Sequence, residues 1–333
     1  MNDLYMSNGY VDMRKLIDNE FPFVFVIGGR GTGKTFNAID TWIQDKHFCV
    51  YMRIKQKEVD MLSLDEDSGF NKYNKTMHAN IKIQKGDIPK IMNDDECVGY
   101  AVALSTIANV RGVEFFNDAD LIIFDEFIQE KHAKAMKYMG TAFLNAYETI
   151  NRNRELDGQK ACKCICLANA NDLGNDIFLE LGLVSPVDRN IRKGRNVFID
   201  RERGVMVVLL EDSPISKKKQ ETALYKLTKK SEYARMSLSN EFAYEEIGTV
   251  KRQNVIEYKP LVQIGEITIF KHKRGRKYYI ACMQGCPNET FGTGEIERER
   301  FRKKYGFLWY SYLSDNIIFS EYLSQKLFEL YFE

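Results

Sequence analysis

Short apolar runs recur along the first two thirds of the chain: Phe23–Ile27, Phe48–Met52, Val98–Leu104, Leu121–Phe124 and Cys162–Ala168. Runs without polar alternation predict strands buried on both faces, as a parallel sheet requires. Helical spacing lies between them. Phe36, Ile39, Trp42 and Ile43 share one face of a helix predicted over Thr35–Lys46, and Met136, Met139, Phe143, Tyr147 and Ile150 do so over 135–150. A short helix is expected near Val11–Asn19, a strand at Ile81–Ile83, one or two strands within Phe198–Leu210, and irregular or helical chain over 56–78. The pattern predicts an α/β domain over 1–212, with a mostly parallel sheet flanked by helices. From Pro214 the character changes: Lys217, Lys218 and Lys219 precede Ala223, Leu224, Leu227 and Tyr233 at helical spacing, predicting a basic helical lid or linker over 213–246. Beyond it, Val255–Tyr258, Ile267–Phe270 and Tyr278–Ile280 alternate around a turn at Arg274-Gly275-Arg276, and 317–333 close with a helix. Residues 247–333 are therefore expected to form a small α+β domain.

Two of the buried runs end in chemistry. The first leads into Gly28-Gly29-Arg30-Gly31-Thr32-Gly33-Lys34-Thr35, a G-x-x-x-x-G-K-T phosphate-binding loop. Its glycines let backbone N–H groups approach phosphate oxygens, Lys34 reaches the β- and γ-phosphates, the Thr35 hydroxyl suits Mg²⁺, and the following helix points its positive end at the anion. The second run ends in Asp125-Glu126. Asp125 is placed to hold Mg²⁺ opposite Thr35, and Glu126 to orient and deprotonate an attacking water. An Asp-Glu pair suits water attack better than transfer to a small acceptor hydroxyl. Asn169, at the end of the Cys162–Ala168 strand, is positioned to sense the γ-phosphate and the lytic water, the plainer alternative being an Asn-rich turn.

Composition adds limits. The 333 residues suffice for a substantial core, no apolar run is long enough to span a bilayer, and the N-terminus lacks a signal-peptide layout. The expected location is therefore cytoplasmic. Seven cysteines show no disulfide framework; Cys162, Cys164 and Cys166 read as reduced core residues on one strand face, and four scattered histidines suggest no metal cluster. The net charge of +1 hides a split, with residues 1–212 at −5 and 213–333 at +6. A basic rear part behind an acidic nucleotide domain points to a polyanion partner, or more plainly to a solvated basic surface.

Phe25–Lys34, Tyr51-Met52-Arg53, Phe124–Ile128, Arg152-Asn153-Arg154-Glu155 and Cys164–Ala170 occur in an order that resembles the DNA-packaging (encapsidation) ATPases of small protein-primed podophages, relatives of the large terminases. The resemblance covers most of 20–172 with specific motifs; over 213–333 it is one of layout. It implies a P-loop NTPase of the additional-strand, catalytic-Glu type, using ATP and Mg²⁺. Gly28, Gly29, Arg30, Gly31, Thr32, Gly33, Lys34 and Thr35 would bind nucleotide together with Arg53; Thr35 and Asp125 would hold the metal; Glu126 would be the base and Asn169 the sensor. Arg152, with Arg154 as the competing choice, would act in a neighbour's site, and Arg30 in its own. Large terminases carry a C-terminal ribonuclease-H-like nuclease that needs clustered carboxylates. The strands Ile267–Phe270 and Lys277–Ala281 have none, and offer Lys271, Lys273, Arg274, Arg276 and Lys277 instead. A vestigial nuclease-like domain without cutting activity is expected, with these residues and Lys217, Lys218 and Lys219 as candidate DNA contacts.

The expected function is ATP-driven translocation of double-stranded DNA into a preformed capsid by a homo-oligomeric ring docked on a portal or a portal-bound RNA, which would place the protein transiently on the procapsid. A helicase or other nucleic-acid remodeller, and a nucleotide-gated scaffold without turnover, are the alternatives.

Overall fold

A computed structural model describes residues 4–62, 69–110, 116–129, 136–169, 172–210, 215, 218, 221–228 and 250–333. Two compact units emerge: Met1–Leu181 with Asn190–Ala243, and Gly182–Arg189 with Tyr244–Glu333. No helix among the described residues is long and apolar enough to cross a membrane.

The first unit begins with α1 (Met13–Ile17), β1 (Phe23–Gly28), α2 (Lys34–Gln44), β2 (Cys49–Arg53), α3 (Gln56–Leu62) and α4 (Gly69–Met77). An edge meander follows, β3 (Ile81–Gln84), β4 (Lys90–Asn93) and β5 (Glu96–Ala103). Then come β6 (Leu121–Asp125), α5 (Met139–Asn151), β7 (Lys163–Ala168) and α6 (Asp176–Glu180); α7 (Val184–Ile191), next in the chain, falls mostly in the second unit, and β8 (Val197–Asp200), β9 (Val205–Leu210) and α8 (Ala223–Leu227) return to the first. The sheet order is β3-β4-β5-β2-β6-β7-β1-β9-β8. Its six central strands, β5 to β9 in that order, run parallel, and β4 and β8 join antiparallel at the two sides. The buried runs explain this: every residue of β6 is buried, as are all but the first of β1 and β7.

Both faces of the sheet are covered. Val24 and Val26 of β1 join Ala38, Ile39 and Trp42 of α2 and Tyr73 of α4 in one core. The intervening Phe25 belongs to an aromatic cluster in which it meets Phe178 edge-on at 5.2 Å, while Phe124 stacks on Phe143 of α5 at 5.8 Å. Such alternation follows from the period of two along a strand. Cys162, Cys164 and Cys166 are buried free thiols, and burial pushes the Cys162 thiol up.

At the amino-terminal edge of the sheet, Asp120 accepts hydrogen bonds from the Phe48 N–H (2.8 Å) and pairs with His47 Nδ1 (2.7 Å). Asp18, Asp45 and His47 bring ligand atoms within 4.8 Å of one another, though Asp45 is already held bidentately by Arg14. The Asp120 bond raises the His47 pKa above its usual 6.5 against the opposing effect of burial, with Asp45 and Asp18 adding to the rise. A raised folded-state pKa stabilises fully below the unfolded value and fades as pH rises through the folded one. Wild type should therefore exceed Asp120→Asn in melting temperature most near about pH 6, with the gap shrinking by about pH 9. Asn keeps an acceptor for Phe48, so parallel curves across that range would remove the charge-based account.

The second unit contains β10 (Tyr258–Ile264), β11 (Ile267–His272), β12 (Tyr278–Ala281), β13 (Thr290–Phe291), α9 (Glu295–Tyr305), α10 (Phe307–Leu313), β14 (Ile317–Phe319) and α11 (Tyr322–Phe332). β10, β11 and β12 form an antiparallel meander, with β13 added parallel to β10 and β14 parallel to β12. Val262, Ile264, Ile267, Ile269 and Ile280 pack with Phe301, Leu308, Phe319 and Phe328. Of the expected linker over 213–246, Ile215, Lys218 and residues 221–228 are described; the rest lies outside the described residues.

Candidate functional site

The carboxyl ends of β1, β7, β6 and β2 lie side by side, and each ends in a residue singled out by sequence. β1 feeds the loop 29–33 and α2. Gly33 caps α2 with φ 92°, a left-handed conformation in which a Cβ is strained. The side chain of Lys34 is buried and folds back over the loop, Nζ donating to the carbonyls of Gly28 (2.8 Å) and Gly29 (2.9 Å) and to Thr32 Oγ1 (3.4 Å). Thr32 Oγ1 in turn donates to the Gly29 carbonyl at 3.1 Å. The loop is thus closed on itself with the ammonium at its centre. Arg30 and Gly31 are exposed on its outer side.

Across from the loop, Thr35 Oγ1 donates to Asp125 Oδ1 at 3.1 Å. The other carboxylate oxygen, Oδ2, accepts from Tyr51 OH (2.7 Å) and Arg53 (3.0 Å). Arg53 also reaches Glu126 at 2.5 Å, so one guanidinium spans both acids. Burial works against the Arg53 charge, but Asp125, Tyr51 and Glu126 offset it and hold its pKa above the usual value. Burial and Asp125 push the Tyr51 phenol well up, which keeps it a neutral donor. Asp125 is buried, whereas the Glu126 side chain is 58% exposed on a backbone at φ 57°. The left-handed turn at Glu126 ends the strand and directs its side chain out of the β6 ladder. Asn169 follows β7 at the same edge and is half-buried. Because β7 lies between β1 and β6, Asn169 emerges between the loop and the acidic pair.

Thr35 and Asp125 present hard oxygen donors at a separation one small cation can bridge, so the chemistry of the pair fits Mg²⁺. The participation of Tyr51 was not read from sequence. Its signal was the i, i+2 spacing to Arg53, which puts both on one face of β2.

Arg152 and Arg154 lie elsewhere. α5 starts near the carboxyl edge and runs back about 20 Å at 1.5 Å per residue. It ends where Asn151 Oδ1 accepts the Cys162 N–H at 2.7 Å, just before β7 begins. Arg152 caps the helix there at φ 45°. Arg154 donates to the carbonyls of Asn117 (3.1 Å), just before β6, and Lys160 (3.3 Å). Both arginines therefore occupy the amino-terminal edge, opposite Lys34 and Asp125.

In the second unit, Lys271 near the end of β11 and Lys273, Arg274, Arg276 and Lys277 on the turn to β12 are all exposed. Lys273 Nζ donates to the Ile256 carbonyl at 2.6 Å. Lys218 is exposed; Lys217 and Lys219 lie outside the described residues.

A family model described as Podovirus DNA encapsidation protein (Gp16) matches residues 6–270. The DNA packaging protein of Bacillus phage phi29 is 28% identical over 238 residues, or 70% of this chain and 66% of that protein. The match thus spans just under two thirds of that relative's length. A chain of the bacteriophage Phi-29 viral genome packaging motor assembly superposes with a TM-score of 0.70 at 21% identity, covering 97% of this chain and 98% of that one. The Phi-28 gp11 DNA packaging motor gives 0.65 at 22%, covering 98% and 97%. At these identities the superpositions speak for the fold.

Proposed function

Since this chain belongs to the podovirus DNA encapsidation protein family, we propose that it is an ATP-hydrolysing motor that moves double-stranded viral DNA into a preformed capsid as a homo-oligomeric ring. The observation that carries the reading is the meeting of Thr35 with Asp125, beside a loop closed around Lys34 and next to an outward-turned Glu126. The insertion of β7 between β1 and β6 supports an additional-strand P-loop ATPase.

On this reading the backbone of 28–35 cradles ATP, Lys34 swings from the Gly28 and Gly29 carbonyls to the phosphates, and Asn169 reports on the terminal one. Mg²⁺ held by Thr35 and Asp125 would draw charge from the phosphoryl oxygens. Glu126, released from Arg53, takes the proton of the attacking water. Arg30 is the candidate cation from the same chain. Arg152 is the candidate from a neighbour, since its edge faces away from its own loop; the carbonyl contacts of Arg154 favour a structural task for that residue.

Lys218 and the basic turn at 271–277 are the described candidates for gripping DNA through phosphates, which carry no base information. The absence of Asp and Glu from β10, β11 and β12 supports a nuclease-like unit that does not cut. A capsid portal, or an RNA bound to it, is the docking partner this reading requires, and the host cell is where it works.

Mixing two inactive proteins tests the reading. Lys34→Ala and Arg152→Ala chains should each lack DNA-stimulated hydrolysis on procapsids, and a mixture should regain part of it, because some junctions then combine an intact loop with an intact arginine. A mixture as inactive as its components would exclude sites shared between neighbours.

A further inference from the structure

The loop at 28–33 has a companion that the packaging reading leaves without a task. Residues 5–11 form a tight turn closed by an antiparallel bridge between Tyr5 and Val11 and by the Met6 N–H donating to the Tyr10 carbonyl at 2.8 Å. The turn is fastened to the nucleotide loop and the first turn of α2 at three points. Val11 N–H donates to the Thr32 carbonyl at 3.1 Å, and Asn37 Nδ2 donates to the Val11 carbonyl at 2.7 Å. The third is the Tyr10 ring, which lies so close to Gly33 that a Cβ there would come within 2.9 Å of Tyr10 Cδ1. Yet Tyr10 remains 37% exposed while its neighbour Val11 is fully buried.

An aromatic ring anchored on a phosphate loop, with part of its surface open, is placed for a specific contact. Lys34 serves the β/γ end of a nucleotide, and the first turn of α2 with the residues before it serves the α/β end. The sugar and base must then leave past that turn, where Asn37 and Tyr10 stand. We propose that Tyr10 is the platform on which the base of the bound nucleotide stacks, so that the site selects purine nucleoside triphosphates by ring contact rather than by reading hydrogen bonds at the base edge. Every base has a stackable face, and the larger purines offer more of it. The inference rests on the reading of 28–35 as a phosphate site, and the experiment separates the two.

Binding of ATP, GTP, UTP and inorganic tripolyphosphate should be measured on the full-length chain and on Tyr10→Ala and Tyr10→Phe variants. Wild type should bind ATP and GTP within a few-fold of each other and both more tightly than UTP. Tyr10→Ala should lose about tenfold or more toward ATP, the size of effect a lost stacking contact gives, with tripolyphosphate binding unchanged. Tyr10→Phe should behave as wild type, which also covers the case in which the alanine variant does not fold. Parallel loss of ATP and tripolyphosphate binding in Tyr10→Ala would make the ring a mere buttress of the loop and overturn the proposal. So would ATP affinity unchanged in Tyr10→Ala, or wild-type UTP affinity equal to that for ATP. A wild-type chain that bound neither ATP nor tripolyphosphate would overturn the phosphate-site reading as well.

Discussion

Replacing Glu126 by Gln is expected to lower ATP hydrolysis by about a thousandfold while changing ATP affinity by less than about threefold. The amide keeps the size of the carboxylate and can still accept a hydrogen bond from Arg53, so the surroundings of Asp125 and Thr35 stay as they are. What it cannot do is accept a proton from water. The left-handed backbone at residue 126 is the same for both side chains, so its strain, of order 1–3 kcal/mol, cancels in the comparison. Single-turnover hydrolysis beside equilibrium binding measures both quantities. Hydrolysis within about tenfold of wild type would mean that another group activates the water.

The largest stability effect is expected far from that chemistry, at Gly99. In the β2–β5 ladder Gly99 stands opposite Cys49, and a Cβ added to it would lie 2.0 Å from the Cys49 carbonyl oxygen. Neither atom belongs to a side chain that can turn away. The two strands would have to part, and the neighbouring Val98 carbonyl, which accepts from Trp42 Nε1 at 3.2 Å, would move with them. Gly99→Ala should therefore cost about 3 kcal/mol or more and lower the melting temperature by about 10 °C. Gly86→Ala, where an added Cβ meets only the Ile88 carbonyl at 3.4 Å, is the control and should shift stability by less than about 1 kcal/mol. Equal melting temperatures for the two variants would show that the strands yield more easily than this contact implies.

Much of the sheet was legible beforehand because its strands are buried on both faces. Continuous apolar runs such as Leu121–Phe124 have few other homes in a chain that also carries amphipathic helical spacing. The edge was harder to read. β4 has four residues with Ile91 alone fully buried, and β13 and β14 are too short to carry any period. Strands of that kind form because a partner strand is already in place. The helix expected over 135–150 spans Met139–Asn151, and Met136 precedes it.

At the site, the glycine loop and the Asp-Glu pair stood out because each follows a buried apolar run in a spacing with few other readings. Tyr51 was hidden because a tyrosine inside an apolar run reads as core; its hydroxyl matters only once β2 lies beside β6. Arg53 was named with the glycine loop, but its hold on both acids depends on strand adjacency between residues more than seventy positions apart. The turn carrying Tyr10 has no periodicity at all. Sequence spacing identifies what a single segment does, and these contacts belong to pairs of segments.

The two ends of α5 carry a mechanical consequence. Tyr138 at its start and Arg152 at its close both adopt left-handed backbone conformations, at φ 55° and 45°, without the freedom of glycine. A rod whose entry and exit are each locked in this way has little slack to take up motion by fraying or rewinding. Neither end can add a further helical residue without first leaving that conformation, so the length of α5 is fixed by its two flanking residues.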